Sequence, residues 1–191
     1  SRACTNGNAA LVELLLNAGA KPNTPIATGE TPLMTCASTG NANAVRVLLA
    51  RGADVNAKEP SQNQDALMWA ASERHPDVVR LLLEAGANTR AHSKKGFTAL
   101  HFAAREGDID SVRQLLASGV NVNIRSVPDP GTPGVPAGPR GPAQQATISE
   151  GSTPVLAATV RGQVPLAVVG QGHDAMPGLL AVFVGQAPEQ R

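Results

Sequence analysis

Apolar residues return along this chain in a fixed order: a Leu-Leu pair, a short spacer, then Gly-Ala or Gly-Val. The glycines are Gly19, Gly52, Gly86 and Gly119, at steps of 33, 34 and 33 residues. Ahead of each glycine the apolar positions follow helical spacing. Val45, Val47, Leu48 and Leu49 recur as Val78, Val79, Leu81, Leu82 and Leu83, and again as Val112, Leu115 and Leu116. Each stretch therefore presents one apolar face. A period of this length, repeated in register, predicts a stack of like units in which each buries its apolar face only against its neighbours.

A second set of landmarks lies upstream of each glycine. Thr31-Pro32-Leu33, Asp65-Ala66-Leu67-Met68-Trp69-Ala70-Ala71 and Thr98-Ala99-Leu100-His101-Phe102-Ala103-Ala104 share one phase, with turn glycines Gly40 and Gly107 following. Thr31 and Thr98 suit the helix N-cap, where a side-chain oxygen accepts an otherwise orphaned N–H, and Pro32 suits the first helical turn. Gly52, Gly86 and Gly119 stand just past a helix end, where a left-handed residue without a Cβ reverses the chain. Together these motifs resemble the ankyrin repeat over residues 1–125, and again briefly at residues 151–162. The resemblance implies an all-α fold, an α-solenoid of about four to five helix-turn-helix units with short β-hairpin loops.

The chain divides accordingly. Residues 1–125 form the repeats, and the first is truncated, since Gly7 matches Gly40 and only Ser1 to Thr5 stand ahead of it. That truncation, with no initiator Met or apolar leader before Ser1, reads as a fragment whose compartment stays open between cytoplasmic and extracytoplasmic. Residues 126–150 carry six prolines among glycines and alanines, a composition predicting a flexible insertion that proteases cut first at Arg140. Thr153 and Pro154 then open a fifth, incomplete repeat over residues 151–162. In residues 163–191 the pattern fails, because Gly170 and Gln171 replace the Leu-Leu pair. Either the last repeat has degenerated into a tail, or a reading-frame change after Gln163 replaced it; the suddenness of the break favours the second.

Composition narrows the functions. The chain is 42% apolar, 16% charged and 2% aromatic, with a net charge of +1. Neither a basic field nor a series of stacking rings is present, which argues against nucleic-acid binding. No phosphate loop, nucleophile elbow, His-Glu-x-x-His or Cys-x-x-Cys occurs. The four histidines, His75, His92, His101 and His173, are scattered, and His101 matches the signature histidine expected to hydrogen-bond between repeats. The two cysteines, Cys4 and Cys36, are expected as buried structural thiols, without a disulfide framework. The expectation is thus no enzyme, cofactor or metal, no membrane span, and a monomer. Leu-Met-Trp-Ala-Ala and Ala-Asp-Val-Asn-Ala-Lys suggest a bacterial dialect.

The resemblance implies a protein partner, engaged through hairpin tips and the exposed side of the first helices. Carried over, the tips give Ala27, Thr28 and Glu30, then Ser61, Gln62 and Gln64, then Lys94, Lys95 and Phe97. The first helices give Ser38, Thr39, Ser72, Glu73, Arg105 and Glu106. Trp69 and Phe102, one position past the signature-histidine site, read either as core or as contact anchors. Arg90, His92, Lys94 and Lys95 form the densest charge cluster, either a solubilising loop or a dock for an acidic partner. The reading is a non-catalytic protein-interaction module. Its alternative is the recognition arm of a larger enzyme, channel or effector.

Overall fold

The structure is a computed structural model that describes residues 2–6, 8–126 and 153–154. Eight helices occupy the described residues: α1 (Arg2–Thr5), α2 (Ala9–Asn17), α3 (Pro32–Ser38), α4 (Ala42–Ala50), α5 (Ala66–Ser72), α6 (Pro76–Glu84), α7 (Ala99–Glu106) and α8 (Ile109–Ala117). They pair as four antiparallel units. The first helices stack in one row, α1 on α3, α3 on α5 and α5 on α7. The second helices stack in another, α2 on α4, α4 on α6 and α6 on α8. Strands are absent from the described residues, and the expected β-hairpins reduce to tight turns with one isolated bridge, between Lys58 and Asp65.

Local signals set these elements. The Met34 amide donates to Thr31 Oγ1 at 3.3 Å, and the Met68 amide donates to Asp65 Oδ1 at 2.9 Å. Asn8, Asn41 and Asp108 cap α2, α4 and α8 in the same way. Past each second helix, Gly19, Gly52, Gly86 and Gly119 take φ of 93°, 79°, 84° and 84°. The central unit departs from the glycine rule at its inner turn. Arg74 stands where the flanking units have Gly40 and Gly107, and it adopts φ 61°.

The core runs between the two rows. Leu33, Met34, Leu48, Leu67, Met68, Leu82, Leu100 and Leu115 are fully buried in it. Hairpin asparagines tie unit to unit: Asn23 donates to the Gly52 carbonyl at 2.9 Å and accepts from the Asp54 amide at 2.7 Å. Asn56 repeats the device by accepting from the Asn88 amide at 2.8 Å.

The cysteines correct the sequence reading. Cys4 of α1 and Cys36 of α3 form a disulfide across 32 residues, with their Cα atoms 4.7 Å apart. First helices of consecutive units lie side by side, and that brings the two residues within bridging range. The sequence places both on or near the first helices of adjacent units, and the expectation of buried thiols stops short of pairing them. At His101, Nδ1 faces the Thr98 amide at 3.2 Å and the Thr98 hydroxyl at 2.9 Å, within its own unit.

Ser126, where the predicted insertion begins, is buried, and so is Pro154. The rest of the insertion with Arg140, the remainder of the fifth repeat, and the tail at 163–191 lie outside the described residues.

Candidate partner-binding face

A backbone hydrogen bond spans each hairpin tip. Ile26 N donates to Glu30 O at 2.9 Å, Glu59 N to Gln64 O at 3.0 Å, and Ser93 N to Phe97 O at 2.9 Å. The tips then lock together along the stack. Pro60 lies over Gly29, where a Cβ would run into the proline ring. Lys94 N donates to Gln62 O at 2.8 Å, and the Lys94 ammonium donates to Pro60 O at 2.7 Å. From the second tip, Lys58 Nζ and Asn63 Nδ2 both reach the His92 carbonyl, at 3.1 and 3.2 Å. Three tips thus make one ridge.

Glu59 organises the middle of that ridge from inside. Its carboxylate is buried and accepts the Ser61 amide at 2.6 Å, the Ser61 hydroxyl at 2.5 Å, the Gln62 amide at 2.8 Å and the Gln64 amide at 3.0 Å. Burial alone would raise its pKa. The hydrogen bonds from Ser61, Gln64 and Gln62 outweigh that and hold the carboxyl below its ordinary value of 4.5. Asp65 shows the opposite balance: burial raises it, and the Met68 amide and nearby Lys58 offset only part of the rise. Nothing in the residue pattern marked Glu59. Its single signal was an acidic residue followed by a proline and four polar residues, Ser61 to Gln64.

The predicted contact residues sort by exposure. Ala27, Thr28, Thr39, Ser61, Gln62, Glu73 and Lys95 are exposed. Glu30, Ser38, Gln64, Trp69, Ser72, Lys94, Phe97, Arg105 and Glu106 are half-buried. Several are engaged internally: Ser38 and Ser72 hydroxyls donate to the Thr35 and Trp69 carbonyls, and Thr39 reaches the Cys4 carbonyl at 3.3 Å. Arg105 pairs with Glu106 at 2.8 Å and lies over the Phe102 ring, 5.0 Å from its centroid. Phe102 itself is 6% exposed and meets Phe97 edge to face at 6.2 Å, so its ring is packed, with no free edge. Trp69 differs, being half-buried with its indole N–H enclosed and unpartnered.

His75 fills the notch between the inner turns. Its Nε2 lies 3.1 Å from Ser38 O, and its ring leaves no room for a side chain on Gly40, where a Cβ would come within 2.6 Å. Among the described residues no group of His, Cys, Asp and Glu could hold a metal ion, and no helix is long and apolar enough to cross a membrane.

A stack of antiparallel helix pairs with turn glycines, capped first helices and interlocked tips defines a solenoid repeat protein. The family model for ankyrin repeats, in three copies, matches residues 1–92 and 58–126, and the chain belongs to that family. Over 61 residues it is 48% identical to an ankyrin repeat, SAM and basic leucine zipper domain-containing protein of Echinops telfairi. The aligned part is 32% of this chain and 13% of that protein. Over 66 residues it is 50% identical to a human ankyrin repeat and KH domain-containing protein, covering 34% of this chain and 3% of the relative. The chain thus spans a small fraction of these relatives' length. They are animal proteins, and they lend no support to a bacterial source. Ankyrin repeats are in general protein-protein interaction modules.

Proposed function

We propose that this chain is a non-catalytic, monomeric binding module that holds a protein partner along the ridge of hairpin tips and the adjoining side of the first helices. The observation that carries this reading is the interlocking of the tips through Gly29, Pro60, Gln62 and Lys94. A ridge fixed before binding loses little conformational entropy on association, which favours affinity for a given contact area. The ridge offers the exposed Gln62 and Lys95, and the first-helix side offers the exposed Glu73 and the half-buried Trp69, a mixed chemistry. Mixed charge and amide groups, with net charge near zero, suit a protein surface better than a polyanion.

Site-specific photocrosslinkers at Lys95, at Glu73 and, on the second-helix side, at Arg80 test the assignment. Crosslinks to one protein from Lys95 and Glu73 but not from Arg80 support it. Capture from Arg80 alone would place the binding face on the other row.

The alternative, that the repeats are the recognition arm of a larger protein, has support in the names of the relatives, which join ankyrin repeats to SAM, basic leucine zipper or KH domains. The open reading frame around this segment decides it.

A further inference from the structure

The net charge of +1 hides a local separation of charge. The loops after α6 and α8, residues 87–98 and 120–126, hold Arg90, Lys94, Lys95 and Arg125 and neither Asp nor Glu. The loop after α4 holds Lys58 with three acids, of which Glu59 and Asp65 are buried. The third, Asp54, is exposed and serves its own loop, accepting from the Asn56 amide at 2.9 Å.

These loop cations are fixed in place without being neutralised. On the helices, Arg80, Arg105 and Arg113 each pair with a carboxylate, at 3.1, 2.8 and 3.4 Å. On the loops, the Lys58 and Lys94 ammoniums donate instead to the His92 and Pro60 carbonyls, at 3.1 and 2.7 Å. A carbonyl oxygen holds an ammonium but brings no opposite charge. The buried Asp65 offsets Lys58 in part. Arg90, Lys95 and Arg125 are exposed, and their side chains enter no ion pair or hydrogen bond among the described residues.

The repeat then sets the spacing. Lys58, His92 and Arg125 stand six residues past Gly52, Gly86 and Gly119, the same place in three successive loops. Stacked units lie roughly 8–10 Å apart, a distance that an extended chain covers in about three residues. We propose that the second and third tips and the loop after α8 form a track for an extended acidic segment of the partner, with a carboxylate at about every third residue. The proposal rests on the tip-ridge reading and adds to it the chemistry of the occupant. A nucleic acid fits less well, because stacking needs free rings. The one phenyl ring on these loops, Phe97, packs on His101 and Phe102.

The probe is a fluorescent peptide of repeated Glu-Thr-Ser triplets with a benzophenone at one end, and the Gln-Thr-Ser peptide is its neutral control. At low ionic strength the full chain should bind the first and not the second, with crosslinks in residues 87–98 or 120–126. Arg90→Gln, Lys95→Gln and Arg125→Gln together should weaken binding about tenfold, the combined effect of three exposed ion pairs, at an unchanged urea midpoint. Lys95→Gln alone should weaken it about two- to threefold, which keeps the test intact if the triple variant melts early. No binding, equal binding of both peptides, or equal binding by the variants overturns the acidic track. The photocrosslinkers at Lys95 and Glu73 report separately on the ridge, so their capture of a protein partner would leave that reading standing. Tighter binding of a single-stranded RNA of equal charge would make a nucleic acid the occupant and likewise overturn the proposal.

Discussion

The Lys94 ammonium donates to the Pro60 carbonyl oxygen across 34 residues of sequence, at 2.7 Å. A charge that composition offers to a partner is therefore tied inside the ridge, while Lys95, its neighbour in sequence, stands exposed. The two lysines should separate by experiment. Lys94→Ala should lower stability by about 0.5–1.5 kcal/mol in urea melts, the net worth of one hydrogen bond. Lys95→Glu should leave the melt unchanged and slow association with an acidic partner in a salt-dependent way. Equal melting effects for both would contradict the division.

Leu82 lies at the centre of the second-helix row and is fully buried. Its truncation to Ala should cost about 2–5 kcal/mol, because neighbours on both flanks restrict collapse into the space left behind. A loss below about 0.5 kcal/mol in urea melts would show that the site is not packed as described.

The stack was legible because its signals are local and repeated. Thr31, Asp65 and Thr98 announce the first helices, the Leu-Leu pairs announce the second, and one period carries the phase from unit to unit. What escaped depends on contacts between units. Cys4 and Cys36 are separated by 32 residues, one short of the 33-residue step, so no motif pairs them, and only the side-by-side packing of α1 and α3 does. Glu59 escaped for a similar reason: a carboxylate that closes a turn from within looks, in sequence, like any surface acid. Phe102 read first as core and second as a contact anchor, and the Arg105 side chain over its ring decides for packing.

The Cys4–Cys36 bridge joins the four-residue helix α1 to the body of the stack. A cross-link closing a loop of this size stabilises by about 3–4 kcal/mol in the chain-entropy account. Cys36→Ser should therefore loosen the first unit selectively. Amides of α2 should exchange faster, and those of α6 and α8 should change little, because repeat stability is carried by nearest neighbours. Equal loss of protection from α2 to α8 would show one cooperative unit, with no local tether.

Arg74 holds φ 61° at the turn where the flanking units use Gly40 and Gly107. A residue with a Cβ gives up about 1–2 kcal/mol in this region, and glycine's larger unfolded-state entropy returns part of that. Arg74→Gly should raise stability by about 0.5–1 kcal/mol, measured as a higher urea midpoint at unchanged slope. A lower midpoint would mean that the Arg74 side chain makes a contact worth more than its strain.

Acid should expose the two buried carboxyls of the second hairpin as opposites. Glu59 is held below its ordinary value of 4.5, so the folded chain binds fewer protons there than the unfolded chain does. Its contribution is complete above pH 4.5 and is lost as the pH falls through the folded value. Glu59→Gln should therefore cost about 1.5–3 kcal/mol at neutral pH, the worth of hydrogen bonds to a charged acceptor, and the gap to the parent should close in acid. Asp65 is raised above 3.8, so its contribution is complete below 3.8 and is lost as the pH climbs through the folded value. Asp65→Asn keeps an oxygen for the Met68 amide and removes the ionisation, so its stability relative to the parent should improve as the pH rises through that range. Urea melts of the parent and both variants from neutral pH into acid give the two differences directly. Gaps that move in the same direction would show that one of these carboxyls is not in the environment described.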